Sequence, residues 1–288
     1  MVSNRRVGVN EGMAYAAKIL TDSVNPTGSR LTTFEVTFPR IVLAEFNTHR
    51  VFSRNSASSR AIPVEKMLAR VKEDPFLPAY WGKNQKGMQA ETEVAPEDQM
   101  YAEAEWLWAR DRALFAVESL KNLGIHKQIA NRLLEPFMWH TVIVTATEYQ
   151  NFFALRCHPD AQPEIRHIAL MMRDLYQHST PTLLNAGEWH LPLINVDESD
   201  LFALGIEAVK QVSAGRCARV SYLTHDGKRD PKADIELCER LRSSGHMSPL
   251  EHVACALDTE DFVGNFRGWK QYRKEFVGEA VFTQTVTV

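Results

Sequence analysis

The sequence predicts a mixed α and β fold of the α+β class, formed by a single domain. Three observations predict it. Two runs rich in β-branched and aromatic residues, 31–47 and 138–147, read as strand material. Two long segments, 97–122 and 163–178, carry helix signals. No linker-like stretch divides the 288 residues into independent units. With 44% hydrophobic residues the chain can bury a sizeable core.

Residues 1–30 are polar, predict no element and are set apart as an N-terminal extension; residues 31–288 are read as the domain. LTTFEVTFPRIVLAEFN at 31–47 predicts a strand broken at Pro39. THRVFSRNSASSR at 48–60 is polar. A short helix runs from Pro63 to about Lys72, with the proline in its first turn. Residues 73–96 hold Pro75, Pro78, Gly82 and Gly87 and read as an insertion. Segment 97–122 opens on acids, ends near Lys121 and is followed by Gly124, as the helix dipole and a glycine stop favour. A second short helix over 125–134 is closed by Pro136. MWHTVIVTAT at 138–147 is a β-branched run. Pro163 opens a helix to 178 in which Ile165, Ile168, Ala169, Met172, Leu175 and Tyr176 share a face. Helices follow near 201–213 and over 231–244. The second has Asp230 as N-cap, Pro231 first, and Gly245 after its end. From His252 the sequence predicts a strand and then a polar helix.

Composition narrows the function classes. The net charge of −3 is not that of a dedicated nucleic-acid binder. Cys157, Cys217, Cys238 and Cys255 form no C-x-x-C pair and suggest neither a zinc cage nor a disulfide framework. His246 and His252 are spaced poorly for a metal on a helix, and no metal site is expected. No run of about 18 apolar residues predicts a membrane span, and no secretory signal is read at the start. A cytoplasmic protein is expected.

The densest polar constellation lies at 48–60. Thirteen residues hold Arg50, Arg54 and Arg60, one histidine and four serines, with no acid to neutralise them. Guanidinium groups bind phosphate through paired hydrogen bonds, so the segment suits an anion. The same composition also describes a solvated basic loop. Neither a P-loop nor a G-x-G-x-x-G is present.

The segment resembles the signature R-H-R-x-x-S-x-N-E-x-S-x-R of the flavin-dependent thymidylate synthases, matching at His49, Arg50, Ser53, Asn55, Ser58 and Arg60. ANRLLEP at 130–136 is similar to the family's A-R-x-x-L-P element and places Arg132 on its nucleotide-binding arginine. NFFALR at 151–156 and AQPEI at 161–165 resemble a further block. Two elements that come first in the family, A-A-R-V-S-F and G-H-x-T-P-x-E-H, stand last here, as RCARVSY at 216–222 and GHMSPLEH at 245–252. The resemblance therefore implies a circularly permuted order, which folds tolerate where the original termini lie close together. DFVGNFRGWKQYRKEF, after the moved block, is similar to the strand and turn before the family signature, as is the strand leading into His49; this overlap suggests a duplication.

What the resemblance implies is a mixed α/β fold with a central antiparallel sheet and an active homotetramer. It also implies bound FAD reduced by NADPH, methylenetetrahydrofolate as carbon donor, and C5 methylation of dUMP. UMP, or hydroxymethylation, is the alternative. By motif, His49, Arg50, Asn55, Asn151, Ser221 and Ser248 would contact FAD. Ser58, Ser59, Arg60, Arg132 and Glu45 would hold the nucleotide. Arg156 would face the pyrimidine, where its charge favours an ionised N3, and His246 would sit near the flavin and folate. The sequence departs from the pattern at Thr48 for Arg, Ser56 for Glu, Glu45 for Gln and Asp160 for His. Arg267 or Arg273 is the expected source of a replacement positive charge. Against this enzyme reading stand a nucleic-acid module built on the basic loop and a flavin-free relative that kept the fold.

Overall fold

Alternating β-branched and aromatic side chains build the centre of the molecule. The computed structural model describes residues 15–195, 197–224 and 229–276. Its helices are α1 (Leu43–Asn47), α2 (Val64–Glu73), α3 (Pro96–Asn122), α4 (Lys127–Ala130), α5 (Gln150–Arg156), α6 (Pro163–His178), α7 (Ser199–Phe202), α8 (Ile206–Ala218) and α9 (Pro231–Ser243). Strands β1 (Ala16–Val24), β2 (Arg30–Pro39), β3 (Ser53–Ser56), β4 (Trp139–Ala146) and β5 (Thr182–Leu183) form one sheet in the order β3-β4-β2-β1-β5. All its pairs are antiparallel except β1 with β5.

Period-two alternation gives this sheet two buried faces. On one face Phe34, Val36 and Phe38 of β2 and Val142 and Val144 of β4 pack against Ile165, Ile168, Ala169 and Met172 of α6 and Phe152 of α5. The α6 face predicted from spacing is the face that is buried. On the other face Ile143 of β4 meets Cys217 of α8, Val220 and Leu193. The sheet thus separates the NFFALR–AQPEI block from the RCARVSY block. Strand β3, at its edge, borders both.

A second, smaller sheet in the order β10-β7-β6 joins β6 (Trp189–His190), β7 (Ala254–Ala256) and β10 (Trp269–Gln271), beside a short hairpin of β8 (Phe262–Val263) and β9 (Phe266–Arg267). Helices α8 and α9 approach backbone to backbone. A Cβ on Gly215 would stand 2.3 Å from the Asp234 carbonyl oxygen, so only glycine fits there. Asp234 is 1% exposed and receives Arg216 at 3.2 Å and Arg219 at 2.5 Å, while Arg216 also reaches Glu198 at 2.6 Å.

Several elements differ from the sequence reading. Ala16–Val24, within the stretch that predicted no element, is β1 and pairs along β2; residues 1–14 lie outside the described residues. Its lysine, serine and aspartate interrupt the alternation that signals a strand. The strand predicted over 31–47 ends at Pro39, and 40–47 turns into a 3-10 turn and α1. The helix expected over 125–134 is a four-residue α4 followed by a 3-10 segment that contains Pro136. The helix near 201–213 breaks at Gly205, φ 86°, and α8 runs on to Ala218. Where a polar helix was predicted after the strand, the described residues to 276 form strand pairs and the 3-10 turn Tyr272–Glu275, and residues 277–288 lie outside the described residues. The two segments that suggested a duplication lie in different sheets: β2 in the large one, and 261–276 in the hairpin, in β10 of the small sheet and in the turn that follows.

Candidate functional site

The signature segment is held by its edge strand. In β3, Ser53 pairs with Thr145 and Asn55 with Ile143. Paired residues share a face, so Ser53 and Asn55 point at the face covered by the late-coming blocks. Arg54 points back, with its guanidinium 3.5 Å from the Phe46 carbonyl and 3.4 Å from that of His49.

Asn55 is buried, and both polar atoms of its side chain have a partner. Its Nδ2 donates to the Cys217 carbonyl at 2.8 Å, and its Oδ1 accepts from Ser248 Oγ at 3.3 Å. Ser58 N–H donates to the Ser221 carbonyl at 3.0 Å. Ser53 Oγ accepts from Gln271 at 2.9 Å and from Asn265 at 3.1 Å. Both permuted blocks and the segment behind them therefore close on one strand.

On the other side, Arg156 at the end of α5 donates through Nε to His49 Nε2 at 3.0 Å. Its Nη2 lies 3.1 Å from Thr48 Oγ1 and 3.4 Å from the Glu45 carbonyl. His49 is buried, with Phe52 stacked on its ring and Phe152 meeting it edge-on. Burial, and then the Arg156 and Arg54 charges, lower its pKa to about 4, so the ring is a neutral acceptor. The departure from the family signature at Thr48 supplies Arg156 with an acceptor. Burial, and then the neighbouring Arg50, lower the Arg54 pKa, against the pull of Glu251.

A third cluster gathers around Glu135. Its Oε1 accepts from Arg132 Nη1 at 2.8 Å, Ser59 Oγ at 2.8 Å and Arg40 Nη2 at 3.3 Å. The buried Asn131 donates to the Ser59 and Ile62 carbonyls at 2.7 and 3.0 Å, and Lys127 to the Ala61 carbonyl at 2.8 Å. The turn after the signature is thereby clamped onto ANRLLEP. A cavity of about 460 Å³ opens beside Ser59, floored by Ile62, Met67, Val71, Phe137 and Met138.

Of the residues singled out by sequence, the fold joins His49 with Arg156, Asn55 with Ser248, Ser58 with Ser221, and Ser59 with Arg132 through Glu135. Arg50, Arg60, Asn151 and His246 are exposed. Glu45 is half-buried, with Oε2 buried and lacking a hydrogen-bond partner. The arginines expected to replace a lost charge each face an acid: Arg267 binds Glu148 at 2.9 Å, and Arg273 binds Glu251. Sequence reasoning missed Glu135, Asn131 and Arg40. Glu135 was legible, because it stands where the A-R-x-x-L-P element has leucine, counted from Arg132 to Pro136. Arg40, buried in a predicted strand, gave no signal.

Among the described residues no group of three or more His, Cys, Asp or Glu is placed to hold a metal, and no helix is long and apolar enough to cross a membrane.

Comparison with known proteins followed the same lines. Two crystal structures of the UMP/dUMP methylase PolB from Streptomyces cacaoi, one bound with 5-Br UMP and one with 5-Br dUMP, are similar to this chain with a TM-score of 0.47 each. Their identities are 16% and 15%; each match covers 57% of this chain, and 88% and 90% of theirs. No curated protein sequence matches. The model of the family described as thymidylate synthase complementing protein matches residues 29–182. That stretch is more than half of the chain and includes the signature, ANRLLEP and the NFFALR–AQPEI block, and the chain belongs to this family.

Proposed function

We propose that this protein methylates the uracil C5 of a nucleotide in a flavin-dependent reaction, with dUMP as substrate and dTMP as product. The observation that carries the reading is the convergence on β3. Segments the resemblance assigns to one site are separated by up to 193 residues along the chain, yet they hydrogen-bond to each other there. Fold similarity alone would not argue function.

The residues present fit a flavin dinucleotide by their donor chemistry. Arg50 is an exposed guanidinium on the flank of β3, and Ser248 and Asn55 add hydroxyl and amide groups. These, with His49, Asn151 and Ser221, are the residues that would hold FAD. Bound FAD, reduced by NADPH, would supply the hydride, and methylenetetrahydrofolate the carbon. The chain's own part is to bind and orient. Ser58, Ser59, Arg60 and Arg132 would take the nucleotide, with Glu45 beside them. Arg156, fixed by the neutral His49, would hold a positive charge against the pyrimidine and favour loss of its N3 proton. His246 would lie on the folate side. The working unit would be a cytoplasmic homotetramer.

UMP is the second reading, favoured by Ser56, which removes a carboxylate from the nucleotide side of the signature. The test is the visible absorption spectrum of the purified protein, recorded before and after adding dUMP or UMP. Flavin bands that shift with one nucleotide support the reading and name the sugar. A colourless protein that takes up no FAD sinks it.

A further inference from the structure

The Glu135 carboxylate sits where the proposed nucleotide's phosphate would find its donors. One oxygen, Oε1, collects two guanidinium groups and a hydroxyl: Arg132 at 2.8 Å, Arg40 at 3.3 Å and Ser59 at 2.8 Å. This is the donor set an incoming anion needs. The side chain of Glu135 is largely buried at 22% exposed, and that of Arg132 is open at 46%. A ligand can therefore reach the arginine while the carboxylate already occupies it. Of the cluster, Ser59 borders the 460 Å³ cavity, which Arg70, Glu73 and Asp74 also line.

The geometry points to Glu135 as a tethered internal anion that competes with the ligand's phosphate and so sets which phosphates bind. The inference takes the ligand's identity from the nucleotide reading above; the competition itself follows from the three hydrogen bonds. A covalently attached competitor acts at high effective concentration. It carries one negative charge. A phosphate monoester carries about −1.5 to −2 at pH 7, and a phosphodiester within a nucleic acid carries only one. The monoester gains more from two guanidinium groups than the carboxylate does and displaces it; the diester does not. Repulsion of the wrong ligand by a fixed like charge is a common source of specificity. It would let the cluster of Arg132, Arg40 and Ser59 recognise a mononucleotide and reject polymer.

The experiment compares wild type with Glu135→Gln, which keeps shape and one acceptor oxygen but removes the charge. Calorimetric titrations of the full chain use inorganic phosphate, dUMP, UMP and a short single-stranded oligodeoxyuridylate without a terminal phosphate. Glu135→Gln is expected to bind inorganic phosphate and both nucleotides roughly tenfold tighter, about 1.4 kcal/mol. It is also expected to acquire measurable affinity for the oligonucleotide. Thermal melts establish that the variant folds, and Glu135→Leu, the residue type of the family element, serves as the second variant. Unchanged or weaker phosphate affinity in the folded variants overturns the inference. So does a changed preference between UMP and dUMP with phosphate affinity constant, because the carboxylate would then be reading the sugar. If phosphate affinity rises as stated but neither protein takes a nucleotide, the competition stands and the nucleotide reading falls.

Discussion

His190 and His252 are the two histidines of one buried hydrogen-bond chain through the large sheet. His252 Nδ1 lies 2.8 Å from Thr145 Oγ1, which lies 2.7 Å from Thr33 Oγ1, which lies 2.8 Å from His190 Nε2. The other nitrogen of His190 reaches Ser23 Oγ at 2.9 Å. Five groups with one mobile proton each can satisfy four bonds when all protons point one way. A charged His252 ring would carry an N–H at Nε2, which is buried with no hydrogen-bond partner.

This neutrality predicts a pH dependence of stability. Burial is the leading cause that lowers His190, His252 and His140 to about 3, and His49 is lowered to about 4. In the unfolded chain histidine titrates near 6.5. The unfolded state therefore binds more protons between these values, and the stabilisation present above pH 6.5 is lost as pH falls toward 4 and 3. Each such histidine contributes a slope of up to about 1.4 kcal/mol per pH unit. Urea unfolding at pH 7.0, 6.0 and 5.5 checks it, with His252→Asn expected to reduce the slope by close to one proton. A stability flat across this range would exclude neutral burial of these rings.

Arg156→Ala should abolish nucleotide methylation, by a hundredfold or more, while leaving the fold intact. The same variant removes one cause of the low His49 pKa, so the ring should titrate above 4 yet stay below 6.5, because burial is the larger cause. Proton-detected titration of His49 measures this directly. Full activity in the variant would remove Arg156 from the reaction.

Asn55→Ala should destabilise the protein by about 1–3 kcal/mol, because the Cys217 carbonyl loses its buried donor. It should also lower FAD retention, since Ser248 loses its anchor on β3. Urea midpoints and the flavin-to-protein absorbance ratio read the two effects separately. A drop in stability with flavin content unchanged would confine Asn55 to a structural part.

Asp234→Ala should cost about 3–5 kcal/mol, the range for breaking a buried ion pair from one side, since two arginines converge on it. The replacement leaves Arg216 held by Glu198 and the Leu193 carbonyl. Chemical denaturation of the variant tests the value, and a loss under 1 kcal/mol would mean water or Glu198 compensates.

Much of this architecture is legible in the sequence. β4 and α6 were readable from β-branched content and from the 3.6-residue spacing of Ile165, Ile168, Ala169 and Met172. Strand β3 was not, because Ser-Arg-Asn-Ser has no hydrophobic alternation; its strand character comes from pairing with Ile143 and Thr145. β1 hid for the same reason. Within the site, motif residues such as His49 and Arg156 could be named, but their mutual hydrogen bond required the sheet to bring residues 107 apart together. Glu135 is the instructive omission: a charged residue in place of an expected leucine was visible, but two of its three partners, Ser59 and Arg40, come from elements distant in sequence.

Strand β3 pairs with β4 on one side only, and Ser248, Asn265 and Gln271 cover one of its faces through the side chains of Asn55 and Ser53. A ribosome releases that strand long before its cover. At about 5–20 residues per second, the 193 residues from Asn55 to Ser248 take roughly 10–40 s to appear. Once β4 has followed, and for the rest of that interval, the nascent chain carries β3 as an uncovered edge strand, open to pairing with other polypeptides. Its short length and its arginine are what keep it soluble until the last quarter of the chain arrives. The order of segments along the chain thus leaves Ser53 to Ser56 without their cover until residues near 248 have been made.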